Sequence, residues 1–364
     1  MPRNFFTLSF KNVDLGLLVG TVVLALFGLV TIYNASVVIA ERDFGDKYHY
    51  VVDQAVWVGL GLSFMFIVSL IDYHFWKKIA FPLLLITIVS LVAVFLPGIG
   101  IKVLGASRWL NFGFFVVQPA EFAKLSLIIY LSSWFSNKEK GRFVAFLSLL
   151  GLVIGLVMLE PDMGTSVVLG SLSLVLYFLS GAPLIHFILL IPGFVATLFV
   201  LIKIAPYRLN RLLTFFDSER DPLGVSYHIR QTLFALGSGG LTGVGLGRSF
   251  QKYGYLPETT TDSIFAIIAE EFGFLGAVSI IGMYLFLVMR GFMIAKGAPD
   301  NFGKLLAAGL SSFIAIQVII NLSAQVALLP FTGIPLPLIS YGGSSLIVTL
   351  VSVGILLNIS RNRA

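Results

Sequence analysis

The sequence contains no cysteine and few charged residues. The absence of cysteine excludes disulfides, thiolate nucleophiles, cysteine-ligated zinc and palmitoylation. Charged residues make up 12% of the 364 positions, whereas soluble globular proteins carry about 25%. Hydrophobic residues make up 57%, which is more than a soluble fold can bury. The composition therefore excludes soluble enzyme folds and predicts an integral membrane protein.

Long apolar runs recur along the whole chain, and most are long enough for a helix that spans a bilayer. They indicate an all-α, polytopic membrane protein with ten transmembrane helices, formed as a single domain over residues 1–364. The ten predicted helices cover residues 14–36, 50–71, 77–96, 114–135, 143–159, 165–179, 183–204, 262–289, 304–329 and 342–359.

The basic residues predict the orientation of these helices. With a cytoplasmic N-terminus, twelve lysines and arginines fall in inner segments and four in short outer loops. This is the bias expected of a membrane protein with both termini in the cytoplasm. The formal charge of +6 therefore reflects topology, and no nucleic-acid partner is expected. The inner residues are Arg3, Lys11, Lys77, Lys78, Lys138, Lys140, Arg142, Arg290, Lys296, Lys304, Arg361 and Arg363, and the outer residues are Arg42, Lys47, Lys102 and Arg108.

One large extracytoplasmic loop, residues 205–261, is predicted between the seventh and eighth helices. Loops of this length usually carry function. Residues 227–236 have the pattern of a short amphipathic helix, and the glycine-rich residues 237–247 indicate tightly turning backbone. The glycine spacing does not match a dinucleotide or P-loop motif. Arg248 and Lys252 beside it are candidates for binding a phosphate or pyrophosphate, and a solvated loop or attraction to anionic lipid stays open.

Ionisable side chains inside membrane helices are costly and are therefore candidate functional residues. Glu121 and Lys124 lie three residues apart and share a helix face, which fits either a neutralising pair that orients helices or a direct contact with substrate. Asp262 opens the eighth run, where a cap from Thr260 or Thr261 and the helix dipole would explain an acid without catalysis.

Two further polar groups have plain structural explanations. The sequence Glu-Pro-Asp at residues 160–162 is typical of a turn that ends a helix. Gln317, Asn321 and Gln325 recur every fourth residue in the ninth run and form one polar stripe. Interhelical hydrogen bonding is the usual role of such a stripe, and lining a cavity is the alternative.

Six stretches of the chain form a distinctive set when they are taken together and in order. They are Gly-Ala-Ser-Arg-Trp-Leu at 105–110, Gln-Pro-Ala-Glu-Phe-Ala-Lys-Leu at 118–125, Glu-Pro-Asp-Met-Gly-Thr at 160–165, Gly-Ser-Gly-Gly at 237–240, Leu-Pro-Glu with Thr-Asp at 256–262, and Pro-Leu-Ile-Ser-Tyr-Gly-Gly-Ser-Ser at 337–345. Through these stretches the chain resembles the SEDS family (shape, elongation, division and sporulation proteins) over essentially its whole length. Residues 243–253 are more similar to the division branch than to the elongation branch, and the sporulation branch fits equally well.

The resemblance implies a peptidoglycan glycosyltransferase in the bacterial cytoplasmic membrane, which polymerises lipid II during cell division or cell-shape maintenance. It implies a class B penicillin-binding protein as partner, together with other membrane proteins of the divisome or elongasome. The family's catalytic aspartate falls on Asp262. The other family positions that match are Arg108, Trp109, Glu121, Lys124, Glu258, Tyr341, Ser344 and Ser345. The family usually has His and Phe where this chain has Thr260 and Ser263, and both differences leave the carboxylate in place.

This resemblance leads to an expected mechanism. Asp262 is the base for a sugar hydroxyl, and cations stabilise the pyrophosphate leaving group. The expected cations are Arg108, Arg208, Arg211, Arg248 and Lys252, with assistance from Mg²⁺ or Mn²⁺. The pattern of residues alone leaves two other functions open, which are a lipid II flippase and a non-catalytic scaffold for the transpeptidase.

Overall fold

The computed structural model of the chain describes residues 13–103, 106–113, 115–137, 142–204, 209, 213–215 and 224–362. Long helices dominate these residues, and one small sheet interrupts them. The helices are α1 (Leu15–Phe44), α2 (His49–Leu70), α3 (His74–Ala93), α4 (Pro119–Phe135), α5 (Phe143–Leu159), α6 (Met163–Leu179), α7 (Leu184–Ile204), α8 (Val225–Ser238), α9 (Ile264–Gly297), α10 (Asn301–Gln325) and α11 (Gly343–Arg361). The strands are β1 (Gly100–Val103), β2 (Ala106–Asn111) and β3 (Val116–Val117).

Each of the ten apolar runs is helical over most of its length, and the predicted amphipathic helix is present as α8. Six of these helices, α1, α2, α3, α9, α10 and α11, are both long and apolar enough to cross a membrane. Helices α5, α6 and α7 are apolar over shorter lengths. The chain is therefore a polytopic helical membrane protein.

The sheet between α3 and α4 was not predicted. Its strands are antiparallel in the order β1-β2-β3. The predicted fourth helix began at residue 114, but Val116 and Val117 form β3 and α4 begins at Pro119. Proline is favoured in the first turn of a helix because it has no N–H to satisfy and its φ is already helical. Residues 115–117 of this apolar run are therefore loop and strand, and residue 114, where the predicted helix began, lies outside the described residues.

Helices α4, α10 and α11 form the centre of the bundle, because their residues are buried on nearly all sides. Helices α1, α2, α3 and α5 expose apolar side chains along one face, as expected of surfaces in contact with lipid. Close packing at the centre depends on small residues. A Cβ atom on Gly354 of α11 would lie 2.6 Å from the Met65 carbonyl oxygen of α2.

Helix α9 is broken at Gly273, whose φ of 69° lies in the left-handed region. The N–H groups of Phe274 and Leu275 donate to the carbonyls of Gly240 and Leu241 in the glycine-rich loop. In an unbroken helix they would donate to Glu270 and Glu271.

The glycine-rich loop completes this exchange of backbone hydrogen bonds. The carbonyls of Glu270 and Glu271 accept from the N–H groups of Val244 and Gly245, both at 3.0 Å. The break therefore leaves none of these four helix groups unsatisfied, as burial in a membrane protein requires. The N–H groups of Val244 and Gly245 in the glycine-rich loop are therefore used in bonds to α9 and are not open to a phosphate.

The ends of the bundle differ in composition. One end carries the sheet, the α5–α6 turn, and residues 224–263, and is called the sheet end below. At the opposite end Asp14 caps α1 and accepts hydrogen bonds from Arg290 at 3.0 and 2.8 Å. There Asp300 caps α10 and also accepts from Tyr73.

Candidate active site

A cavity of about 130 Å³ lies at the sheet end of the bundle. Four parts of the chain that are remote in sequence form its wall: strand β2, the first turns of α4, the start of α6 and the segment that follows α10. A wider, open depression of about 690 Å³ lies at the α1–α2 turn, and none of the residues that the sequence predicted for the site lines it. The smaller cavity is lined by Arg108, Trp109, Gln118, Glu121, Lys124, Asp162, Thr165, Thr332, Gly333, Ile334 and Pro335.

Arg108 is held in the cavity wall by the backbone of the α5–α6 turn. Its Nε donates to the Glu160 carbonyl at 3.0 Å, and its Nη2 donates to the Pro161 carbonyl at 2.6 Å. Carbonyl groups orient the guanidinium without neutralising it. Trp109 follows on the same strand and lines the same cavity.

Glu121 and Lys124 form an ion pair in the cavity wall. The Lys124 Nζ lies 2.6 Å from the Glu121 Oε1, and both side chains are buried. Glu121 occupies the first turn of α4, where the helix dipole favours a carboxylate. Lys124 also lies over the ring of Phe313 at 5.5 Å from its centroid. The pair is therefore mutually neutralising and also lines the cavity, and its direct contact with substrate stays a prediction.

Asp162 contributes a carboxylate to the cavity while capping α6. Its side chain accepts hydrogen bonds from the Thr165 N–H and hydroxyl, both at 2.9 Å, and from Gln118 at 3.3 Å. Residues 160–162 form the turn between α5 and α6, as their sequence predicted. Gln118, Asp162 and Thr165 were not predicted as site residues, although the motifs that contain them were singled out.

Glu160 in this turn is fully buried, and neither of its carboxyl oxygens has a hydrogen-bond partner among the described residues. Burial raises the pKa of the Glu160 carboxyl to about 8, the Asp162 carboxylate adds to the rise, and Arg108 opposes it. The group is therefore protonated in the folded protein at neutral pH.

We expect Glu160→Gln to remove a pH-dependent loss of stability. Because the folded pKa lies above the ordinary value of 4.5, stability is full below that value and is lost as the pH rises toward about 8. The variant should therefore melt several degrees above the wild type at about pH 9, and close to it at about pH 5. Thermal unfolding in detergent measures both. Glu41→Gln, at an exposed position, is the matched control and should change neither curve; equal curves for Glu160→Gln and wild type at high pH would contradict the expectation.

Asp262 lies at the edge of the cavity. Its side chain is half-buried, and its Oδ2 is 3.7 Å from the position that a Cβ on Gly333 would take. Gly333 lines the cavity and has a φ of 75°. The structure thus brings Asp262 beside the wall that Arg108, Trp109, Glu121 and Lys124 complete.

The start of α9 differs from the prediction. The helix begins at Ile264, with Ser263 at the N-cap position, and Asp262 precedes it. Neither Thr260 nor Thr261 caps the helix. Instead Gln325 on α10 accepts a hydrogen bond at 2.8 Å from the N–H of Ala266. The Ser263 hydroxyl lies 2.6 Å from His228 Nε2, a contact between α8 and α9 that the sequence did not predict.

Residues 340–344 form a junction beneath Asp262. The Ser340 hydroxyl and the Tyr341 N–H donate to the carbonyls of Thr261 and Thr260, at 2.6 and 2.8 Å. The Tyr341 hydroxyl donates to Asp53 at 2.6 Å.

The same junction reaches α2 and α4. The Gly342 N–H donates to Gln54 at 3.2 Å, and the Ser344 hydroxyl accepts from the Gln118 N–H at 3.1 Å. Ser345 is buried beside them. The predicted residues Tyr341 and Ser344 therefore connect the segment that carries Asp262 to two helices.

Lys252 is buried away from the cavity lining. Its Nζ lies 2.9 Å from Asn34 Oδ1, 2.6 Å from the Gly247 carbonyl and 3.5 Å from Glu271 Oε1. Asn34 also donates to Glu271. This arrangement joins α1, α9 and the glycine-rich loop, and it commits the ammonium group to protein partners.

The remaining predicted residues are placed as follows. Arg248 is exposed on the same loop. Glu258 is exposed, has a φ of 51° and accepts a hydrogen bond from the Thr261 hydroxyl at 2.8 Å. Arg208 and Arg211 lie outside the described residues.

Comparisons with known proteins agree with this architecture. A family model described as "Cell cycle protein", named for FtsW, RodA and SpoVE, matches residues 16–364. Stage V sporulation protein E of Bacillus subtilis (strain 168) is 41% identical over 358 residues, which cover 96% of this chain and 97% of that protein. The probable peptidoglycan glycosyltransferase FtsW of Trichlorobacter lovleyi is 41% identical over 355 residues, covering 95% and 93% of the two chains.

Solved structures share the fold. A chain of a peptidoglycan synthase complex, described as coordinating polymerization and crosslinking, superposes with a TM-score of 0.81 at 28% identity and covers 97% of this chain and 99% of its own length. The rod shape determining protein RodA of Thermus thermophilus gives a TM-score of 0.72 at 29% identity, covering 97% and 98%.

Proposed function

Because this chain belongs to the cell cycle protein family of FtsW, RodA and SpoVE, as its motifs predicted, we propose that it is a peptidoglycan glycosyltransferase that polymerises lipid II. The names of its relatives support the proposal, since the Trichlorobacter lovleyi protein is called a probable peptidoglycan glycosyltransferase. The observation that carries the proposal is the position of Asp262 at the edge of a cavity lined by Arg108 and Lys124. The process served is cell division or the maintenance of cell shape.

The proposed setting is the bacterial cytoplasmic membrane. The chain forms one domain of ten transmembrane helices with both termini in the cytoplasm, and residues 205–261 form the large outer loop. The sheet end of the bundle then faces outward, where lipid II presents its sugars and pyrophosphate. Polar groups without partners are excluded from the hydrocarbon core of a bilayer. Because charged side chains line the cavity, a position at the end of the bundle, outside that core, is the expected one.

The proposed reaction is one inverting displacement. The Asp262 carboxylate accepts the proton of a sugar hydroxyl as its oxygen bonds to the anomeric carbon of the donor. The bond from that carbon to the pyrophosphate breaks at the same time, and the polyprenyl pyrophosphate leaves with the electron pair. The leaving group is already a good one, so a second carboxylate acting as acid is unnecessary.

Arg108 is the proposed main contact for the pyrophosphate. Lys124 is paired with Glu121 at 2.6 Å, whereas Arg108 is oriented by carbonyl oxygens that leave its charge intact. Positive charge placed in advance stabilises charge that develops in the transition state. Trp109, Glu121 and Lys124 complete the binding surface, and contacts from Arg208, Arg211, Arg248 and Glu258 stay predictions.

A divalent cation also stays a prediction. Among the residues that the structure describes, no group of three or more Asp, Glu or His side chains is arranged to hold a metal. The carboxylates that line the cavity, Glu121 and Asp162, are bonded to Lys124 and to Thr165. Phosphate oxygens of lipid II would themselves be ligands for Mg²⁺ or Mn²⁺.

The proposed partner is a class B penicillin-binding protein. The support is the fold shared with a chain of a peptidoglycan synthase complex that coordinates polymerization and crosslinking. Further membrane proteins of the divisome or elongasome are predicted to join the same assembly.

One reconstitution tests the function. The purified chain is placed in vesicles with labelled lipid II, with and without a class B transpeptidase, and both glycan length on gels and transfer of label between leaflets are scored. A polymerase lengthens glycan, and the Asp262→Ala variant does not. Transfer between leaflets without lengthening would establish a flippase instead. Polymer formed equally by wild type and Asp262→Ala would contradict the catalytic assignment.

A further inference from the structure

Two amides on α10 hold the backbone at the start of α9. Asn321 and Gln325 lie one helical turn apart, and both are buried. Asn321 Nδ2 donates to the Asp262 carbonyl at 3.1 Å and to the Ile334 carbonyl at 2.9 Å. An amide nitrogen has two hydrogens, and these two bonds use both.

Gln325 fixes the orientation of Asn321. Its Nε2 donates to Asn321 Oδ1 at 2.8 Å, and its Oε1 accepts from the Ala266 N–H at 2.8 Å. Turning either amide over would place two donors or two acceptors face to face, so the network has only one consistent arrangement of the two amides. Three main-chain points, at Asp262, Ala266 and Ile334, are tied to one helix.

Two of these points, Asp262 and Ile334, lie on opposite sides of the cavity edge. Asp262 carries the carboxylate, and Ile334 belongs to the cavity wall that also includes Gly333. The Asp262 Oδ2 lies 3.7 Å from the Cβ position of Gly333. The Asn321 side chain therefore ties the main chain of the residue that carries the carboxylate to the main chain of the cavity wall.

We propose that Asn321, oriented by Gln325, is a positioning residue that holds the Asp262 carboxylate against the cavity wall in the geometry for glycosyl transfer. The proposal rests on the proposed function and adds to it a residue that touches neither substrate nor the reacting atoms. A displacement of about 1 Å at a reacting group can cost about 100-fold in rate. Loss of the Asn321 hydrogen bonds, called the clamp below, should therefore lower the rate of the chemical step.

The main test replaces Asn321 with leucine, which has nearly the same volume and no donor. We expect kcat for lipid II polymerisation to fall about 10- to 100-fold, with KM changed by less than about twofold. KM is retained because Arg108 and Lys124 lie on β2 and α4, which Asn321 does not hold. Asn321→Gln keeps an amide donor at a displaced position, and its kcat should lie between those of Asn321→Leu and wild type.

The chain offers a matched control on the same helix. Gln317 lies one turn before Asn321, is equally buried, and neither its nitrogen nor its oxygen has a hydrogen-bond partner among the described residues. Gln317→Leu makes the same change from amide to apolar side chain without touching the Asp262 segment. Its kcat and KM should equal those of the wild type.

The outcomes separate this proposal from the proposed function. A wild-type chain that forms no polymer, or an Asp262→Ala variant as fast as wild type, would overturn the function. If both behave as expected, a folded Asn321→Leu with wild-type kcat overturns the clamp alone, as does an equal loss in Gln317→Leu. Thermal unfolding shows whether each variant is folded. If Asn321→Leu does not fold, Asn321→Gln is the deciding variant. A wild-type kcat for Asn321→Gln overturns the proposal, and a lowered kcat at unchanged KM supports it.

Discussion

Replacing Asp262 with alanine is expected to abolish glycan polymerisation and to leave the fold intact. A positioned base contributes about 10²- to 10⁴-fold to a rate, which is enough to remove detectable polymer. The fold should survive because the contacts that hold this segment use the main chain. Asn321 donates to the Asp262 carbonyl, and Ser340 donates to that of Thr261. The rate of lipid II consumption and the melting temperature in detergent measure the two effects.

Asp262→Asn is the control for shape. It keeps the size of the side chain and removes its charge and basicity, so its rate should be as low as that of the alanine variant. Polymerisation by Asp262→Asn at the wild-type rate would show that the carboxylate does not act as a base.

Of the variants considered, Lys252→Met should show the largest loss of stability. The ammonium group is buried with Asn34 and Glu271, and its removal leaves the Glu271 carboxylate buried without a cation. Breaking a buried ion pair in this way costs about 3–5 kcal/mol. The break at Gly273 and the glycine-rich loop should loosen together, because Lys252 also bonds to the Gly247 carbonyl. Thermal unfolding in detergent measures the loss.

Arg248→Met is the matched control, since it removes a cation four residues away at an exposed position. Its melting temperature should stay within about a degree of wild type, as is usual for exposed sites. If Lys252 bound the pyrophosphate instead, Lys252→Met would raise KM for lipid II without lowering the melting temperature, and that result would contradict the structural role.

The helices could be predicted from sequence because each one depends on a local run of apolar residues. Residues 143–159, for example, were predicted with the observed bounds. The sheet was missed because its strands are short, and because Val116 and Val117 are as apolar as the helix that follows. The cap of α9 was missed because its acceptor is Gln325, which lies 59 residues away from Ala266.

The site could be predicted only as a set of separate motifs. Hydropathy and charge indicated Glu121 and Lys124, and the resemblance to a family added Arg108, Trp109 and Asp262. The segment that joins Asp262 to this set, residues 332–335, has no polar pattern that would identify it. Lys252 was predicted to contact a pyrophosphate because of its basic neighbours, whereas its contact with Asn34, 218 residues away, could not be predicted. Contacts of this range follow from helix packing, which a single sequence does not specify.

The sidedness of the segment that carries Asp262 tests the central claim most directly, because lipid II can be polymerised only where its sugars are exposed. The chain has no cysteine, so single cysteines can be labelled without background. Tyr255→Cys lies on this segment at a position 57% exposed, and Lys304→Cys lies at an exposed position of the opposite end. In intact spheroplasts, a membrane-impermeant maleimide should label Tyr255→Cys at once and Lys304→Cys only after permeabilisation. The reverse pattern would place Asp262 on the cytoplasmic side and contradict the account.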